Sequence, residues 1–220
     1  MEGEVRRRGV KNILCFGDSN TWGWNPVDES RYERHERWTG ILQELLGDGY
    51  YVIEEGMNSR TTIYPDPVDD FRSGKFFLPG LLFSHKPLDV VVLMLGTNDL
   101  KHRFPLSAYD IAYGAGTLVD IIQKSGAGRD GGAPVVLLVA PPPIGPLTKM
   151  KDAEGFKGGE EISKDFPRFY RHFAEKYGTA FLDAGEIVVS SSVDGVHWEQ
   201  EEHRKFAEAV AELVPSLLEA

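Results

Sequence analysis

Five short runs of β-branched and apolar residues recur along the chain, separated by segments with helical spacing, and this alternation narrows the available folds more than any other feature. The runs are Asn12 to Phe16, Tyr50 to Glu54, Asp89 to Leu95, Pro134 to Ala140 and Ala180 to Asp183. Most are continuously apolar, the pattern of strands covered on both faces in a parallel sheet. Between them, Trp38, Ile41, Leu42, Leu45 and Leu46 form a helical stripe that Gly47 ends. Ile111, Ala115, Leu118, Val119 and Ile122 form a second, behind a Ser107 cap with Asp110 three residues on and Gly126 as terminator. A third, Ile162 to Tyr177, contains Pro167, which must start, kink or break the helix there. A last helix is expected from about Glu199 to Val214, with Pro215 near its end.

This order predicts a three-layer α/β/α sandwich on a five-stranded, parallel, doubly wound, flavodoxin-like sheet. No repeat, linker or low-complexity tract divides the chain, so residues 1–220 are read as one domain. In such a sheet, ligands bind beyond the carboxyl ends of the strands. The loops there are Gly17 to Asn25, Glu55 to Pro67, Gly96 to Pro105 and Pro141 to Gly159, joined by Ser190 to Trp198.

Charge and cysteine content exclude several classes of partner. The net charge of −10 repels phosphate backbones and anionic headgroups, so neither nucleic acid nor a membrane surface is expected. The longest apolar stretches, Leu88 to Leu95 and Pro134 to Pro143, fall far below the roughly 20 residues that cross a bilayer. Cys15 stands alone, which rules out an internal disulfide and a thiolate pair for zinc, and is read as a buried core residue. Met1 to Val10 mixes Arg6, Arg7 and Arg8 with Glu2 and Glu4, and the apolar run Ile13 to Phe16 is too short for an export signal. A cytoplasmic location is the expectation.

Ser19, in the turn Gly17-Asp18-Ser19-Asn20-Thr21 after the first strand, stands where a short helix begins. There the free N–H groups and dipole of a helix N-terminus favour a developing oxyanion. A serine needs a base, and of six histidines two have a carboxylate three residues upstream: His102 behind Asp99 and His197 behind Asp194. That spacing is one tight turn, which lets the Asp accept from the imidazole Nδ1–H while Nε2 faces the serine. Asp194 and His197 are preferred, because their Gly-containing loop follows all five strands, whereas Asp99 can bond the backbone of its own turn. Asn98 is then a neutral donor at a strand end, able to point at an oxyanion.

Gly17-Asp18-Ser19, Gly96-Thr97-Asn98-Asp99 and Asp194-Gly195-Val196-His197 resemble, in order, the first, third and fifth signature blocks of the GDSL-type (SGNH) serine hydrolases. Longer runs, among them Thr21-Trp22-Gly23-Trp24, Arg37-Trp38-Thr39-Gly40, Glu54-Glu55-Gly56, Arg60-Thr61-Thr62 and Pro141-Pro142-Pro143, are similar to the arylesterase subgroup with acyltransferase activity. Two positions depart from the family pattern. Asn20 stands where the family's Leu does, as in some carbohydrate acetylesterases, and Ser59 stands where a Gly backbone N–H usually meets the oxyanion.

The resemblance implies a serine esterase with Ser19 as nucleophile, His197 as base and Asp194 as its orienting carboxylate. It also implies an oxyanion hole from Ser19, Ser59 and Asn98, a structural role for Asp18, and neither metal nor cofactor. Trp22, Trp24 and Val196 flank these pieces and are expected to line an apolar acyl pocket for short acyl esters of aryl or sugar alcohols. The alternatives are a carbohydrate acetylesterase and, more remotely, a flavin- or nucleotide-binding module of the same fold. The subgroup's octamers further imply a homo-oligomer in which the long loop Leu147 to Gly159 builds contacts around the site and acyl transfer competes with hydrolysis.

Overall fold

The computed structural model describes residues 9–147, 150–151 and 153–219. Five strands, β1 (Lys11–Gly17), β2 (Tyr50–Gly56), β3 (Val90–Met94), β4 (Val135–Ala140) and β5 (Ala180–Asp183), pair in parallel in the order β2-β1-β3-β4-β5. This is the flavodoxin-like order, with its switch point beside β1 because β2 lies on one side of it and β3 on the other. The register sets Gly17 opposite both Gly56 and Met94, so three strands end level with one another.

The helices are α1 (Ser19–Trp22), α2 (Trp38–Leu46), α3 (Gly74–His85), α4 (Ala108–Lys124), α5 (Gly159–Ser163), α6 (Phe166–Tyr177) and α7 (Gln200–Leu217). Strand side chains alternate between the two faces of the sheet. Ile13, Cys15, Val90, Val92, Leu137 and Val139 pack with Trp38 and Leu42 of α2 and Phe206 and Val210 of α7. Leu14, Phe16, Val91, Leu93 and Leu138 pack with α3, α4 and α6. Both faces of the sheet's centre are therefore dry, which is why β3 and β4 are apolar throughout. Cys15 is fully buried, and burial pushes its thiol well above the ordinary range.

Ser107 and Asp110 form the expected capping box on α4, each side chain accepting from the other's backbone N–H. The stripe from Ile162 to Tyr177 is divided between α5 and α6, and Pro167 lies in the first turn of α6, where its missing N–H has no intrahelical partner to lose. The last helix runs on through Pro215 to Leu217 rather than stopping near Val214. Proline's fixed φ is helical, and within the final turn few bonds remain to be lost. Nothing in the sequence pattern anticipates α3, which carries Pro79 inside it and leaves Phe76 and Phe83 exposed.

The stretch from Leu147 to Gly159, expected as loop alone, contains a 3-10 turn at Ala153–Phe156. Its Thr148, Lys149 and Asp152 lie outside the described residues, as do the N-terminal arginines Arg6, Arg7 and Arg8.

Candidate active site

β1 delivers the chain into a turn whose geometry depends on two glycines. A Cβ on Gly17 would fall 2.0 Å from Thr21 Oγ1, and one on Gly56 would fall 2.1 Å from Trp22 N. Their absence lets α1 lie directly against the strand ends. Asp18 caps α1, its carboxylate accepting from Asn20 N at 3.0 Å, and Ser19 opens the helix with its N–H lacking an intrahelical acceptor. Asp18 is buried, and burial pushes its carboxyl up to about 6.

The loop before α7 brings its side chains to the same point. His197 Nε2 lies 2.9 Å from Ser19 Oγ, and His197 Nδ1 lies 2.6 Å from Asp194 Oδ2. With Nδ1–H donating to the carboxylate, Nε2 is the acceptor that faces the serine hydroxyl. Asp194 Oδ1 also accepts from the backbone N–H groups of Val196 and His197, both at 2.9 Å. Burial alone would raise the Asp194 carboxyl, but these hydrogen bonds and the neighbouring imidazole hold it below the usual carboxylate range. The competing pair does not form. Asp99 is buried and accepts from Thr62 N and, at 2.5 Å, from Thr62 Oγ1, while His102 is exposed. Burial pushes Asp99 up to about 7.

Ser59 and Asn98 line the same cavity as Ser19. A turn closed by Arg60 N donating to Met57 O places Ser59 at φ 63°, the left-handed region where glycine sits without strain, which accounts for the family's usual residue there. Asn98 donates one of its amide hydrogens to Arg60 O at 3.2 Å, leaving the second for the cavity. Arg60 is itself buried, donates to Gly17 O and Glu55 O, and lies 4.2 Å over the Phe16 ring. Burial pulls its guanidinium down to about 10. The ends of β1 and β2 are thus tied through the Arg60 side chain, and the loop after β3 is tied to them through the Arg60 backbone carbonyl.

Ser19, Ser59, Asn98 and His197 line a cavity of about 370 Å³ together with Trp24 and Val196. The Trp24 ring lies 5.5 Å from the His197 ring. Trp22 does not line the cavity: it packs behind Trp24, with Arg31 over its ring at 4.9 Å. Met150, Gly155 and Phe156 of the long loop form part of the wall, as do Asp69, Lys101 and Arg103, none of which the sequence pattern singled out. The one available signal was that Lys101 follows Asn98 by three residues, a single 3-10 turn. Asn20, which departs from the family's Leu, is part of the site's framework. Its Nδ2 donates to Val196 O at 3.3 Å and its Oδ1 accepts from Trp198 N at 3.2 Å, bracketing His197. Among the described residues, no group of three His, Cys, Asp or Glu side chains is arranged for a metal, and no helix is long and apolar enough to cross a membrane.

A model of the GDSL-like lipase/acylhydrolase family matches residues 15–208, a span that takes in the Ser19 turn, the Asn98 loop and the Asp194–His197 pair. The chain belongs to this family. The fold agrees closely with that of solved family members. It superposes on the native aryl esterase of M. smegmatis with a TM-score of 0.91, at 42% identity over 95% of this chain and 100% of that one. A carbohydrate acetylesterase from Sinorhizobium meliloti gives a TM-score of 0.90, at 42% identity over 94% and 99% of the two chains. An acetylxylan esterase of Xylanibacter ruminicola is 25% identical over 90% of this chain, which spans only 42% of that protein. This GDSL-like chain therefore spans less than half the length of the curated relative it matches.

Proposed function

We propose that the chain is a carboxylic ester hydrolase that works through an acyl-serine on Ser19. The observation that carries this reading is the continuous hydrogen-bonded line Asp194–His197–Ser19, which ends in a cavity that Ser59 and Asn98 also line. Ser19 Oγ attacks the ester carbonyl carbon as its proton passes to His197 Nε2. Asp194 holds the ring and stabilises the imidazolium. The oxyanion meets the Ser19 and Ser59 backbone N–H groups and the Asn98 amide. As the tetrahedral intermediate collapses, His197 returns the proton to the departing alcohol. Water, deprotonated by the same imidazole, then releases the acid and restores the serine.

Trp24, Val196, Met150 and Phe156 favour a small apolar acyl group, and the similarity to an aryl esterase and to carbohydrate and xylan acetylesterases supports acetyl-type esters of aryl or sugar alcohols. Ser19→Ala should abolish p-nitrophenyl acetate hydrolysis, and Asn98→Ala should lower turnover by about 10²–10³. Wild-type rates in the Ser19 variant would remove the nucleophile. A series from acetate to palmitate esters, beside acetylated sugars, should peak at short acyl groups; a long-chain optimum would refute the small pocket. Homo-oligomeric assembly and acyl transfer to alcohols are part of the same proposal, and an exposed aromatic surface beside the site supports them.

A further inference from the structure

The catalytic cavity contains a charge that the reaction above does not use. Lys101 lines the same wall as Ser19 and Asn98, and its residue surface is only 8% exposed. Among the described residues it makes no side-chain hydrogen bond or ion pair. Its charged neighbours are committed elsewhere or lie farther off. Asp66 accepts from the backbone N–H groups of Val68 and Asp69 and faces Arg103 Nε at 3.5 Å. Asp69 lines the same cavity without an ion pair to Lys101, and Arg72 adds a further positive charge to the neighbourhood. Burial is the main cause that pulls the lysine below its ordinary range, Arg103 and Arg72 add to it, and the carboxylates of Asp66 and Asp69 oppose it only in part.

An ammonium drawn out of bulk water with no ion pair among the described residues is costly, and an acyl pocket built for neutral esters alone has no need of one. We propose that Lys101 is an anion subsite of the catalytic cavity, anchoring a carboxylate carried by the ester substrate. The substrate class is then acidic esters: either half-esters of dicarboxylic acids, with the charge on the acyl half, or acyl esters of an acidic sugar or hydroxyaryl acid, with it on the alcohol half. The whole chain carries −10, so an acidic substrate gains little from long-range attraction and needs a local cation.

This inference rests on the ester-hydrolase reading, and its test separates the two. Two matched pairs are compared by kcat/KM: mono-p-nitrophenyl succinate against p-nitrophenyl butyrate, and para-acetoxybenzoate against its methyl ester. In Lys101→Met the acid-to-neutral ratio should fall about ten- to hundredfold in at least one pair, mainly through KM, while Lys101→Arg retains most of it. The pair that responds identifies which half carries the charge. A ratio unmoved in both pairs overturns the proposal, including the case in which acid and neutral esters slow equally and Lys101 serves the reaction centre or the fold. Should Lys101→Met not fold, binding of benzoate and benzamide to the wild-type protein decides the matter. Benzoate at least tenfold tighter supports the subsite, and equal affinities overturn it. Failure of the wild type to hydrolyse any neutral ester would instead sink the esterase reading, with the benzoate measurement still standing on its own.

Discussion

Asn20 shows how much one side chain can hold in place at this site. Its amide spans from the nucleophile turn to the loop 176 to 178 residues away, and its two hydrogen bonds fall on the residues either side of His197. A leucine there fills similar space but offers neither donor nor acceptor, leaving the Val196 carbonyl and Trp198 N–H to find other partners. Asn20→Leu should therefore lower kcat about 10- to 100-fold with KM little changed, because misplacing the imidazole affects proton transfer more than substrate binding. A variant that loses thermal stability but keeps kcat would show that the clamp serves the fold alone. Ser19, Asp194 and His197, the proposed nucleophile, orienting carboxylate and base, were legible because they sit in short contiguous blocks that carry the family resemblance, Gly17-Asp18-Ser19 and Asp194-Gly195-Val196-His197. Asn20 and Lys101 carry no such mark. What each does depends on which distant loop folds against it, and a one-dimensional pattern does not hold that information.

At the level of elements, the strands and the amphipathic helices were legible because burial imposes a period on them, while α3 was not, since it contains a proline and exposes two of its phenylalanines. The joints between elements were also hidden. Arg37 and Thr39 at the start of α2 converge on Glu54 of β2, at 2.6 and 2.8 Å, so two sequence blocks that looked independent are one contact. The first N–H of α2 is met by a residue of α7. Trp38 N donates to His203 Nδ1 at 3.3 Å, where the helix has no side-chain cap of its own. His203 is fully buried, and burial pushes it down to about 3. An unfolded histidine titrates near 6.5. Between these values the unfolded chain binds a proton that the folded chain refuses, so this contribution to stability is complete above about pH 6.5 and declines as the pH falls toward 3. In His203→Asn, whose Oδ1 can still accept from Trp38 N, the deficit relative to wild type should be largest at pH 7. By pH 5 it should narrow by about 2 kcal/mol in urea unfolding. A deficit constant across that range would mean that the ring is protonated in the folded state.

For the molecule as a whole, the surface beside the cavity bears on assembly. Phe71 and Phe76 are 68% and 67% exposed, and their rings lie 6.1 Å apart. Large side chains grouped in this way on a soluble surface mark an interaction site more often than not. The segment that carries Phe71 also supplies Asp69 to the catalytic cavity, so a second copy seated on this surface would stand at the entrance. A chain of net charge −10 repels its copies, and burying this aromatic area against itself supplies the opposing attraction. We expect light scattering to give a multiple of the 24.5 kDa chain mass, and Phe71→Ser combined with Phe76→Ser to reduce it to the single-chain value. Crowding the entrance with a neighbour's apolar surface disfavours water against an alcohol in the attack on the acyl-serine, and about 1.4 kcal/mol between the two barriers shifts the product ratio tenfold. With vinyl acetate and benzyl alcohol in water, the assembled protein should therefore form more benzyl acetate per acetate released than the double variant, while both hydrolyse p-nitrophenyl acetate. A monomeric variant that transfers as well as the wild type would place the preference for alcohol within the single chain, in the wall built by Trp24, Met150 and Phe156.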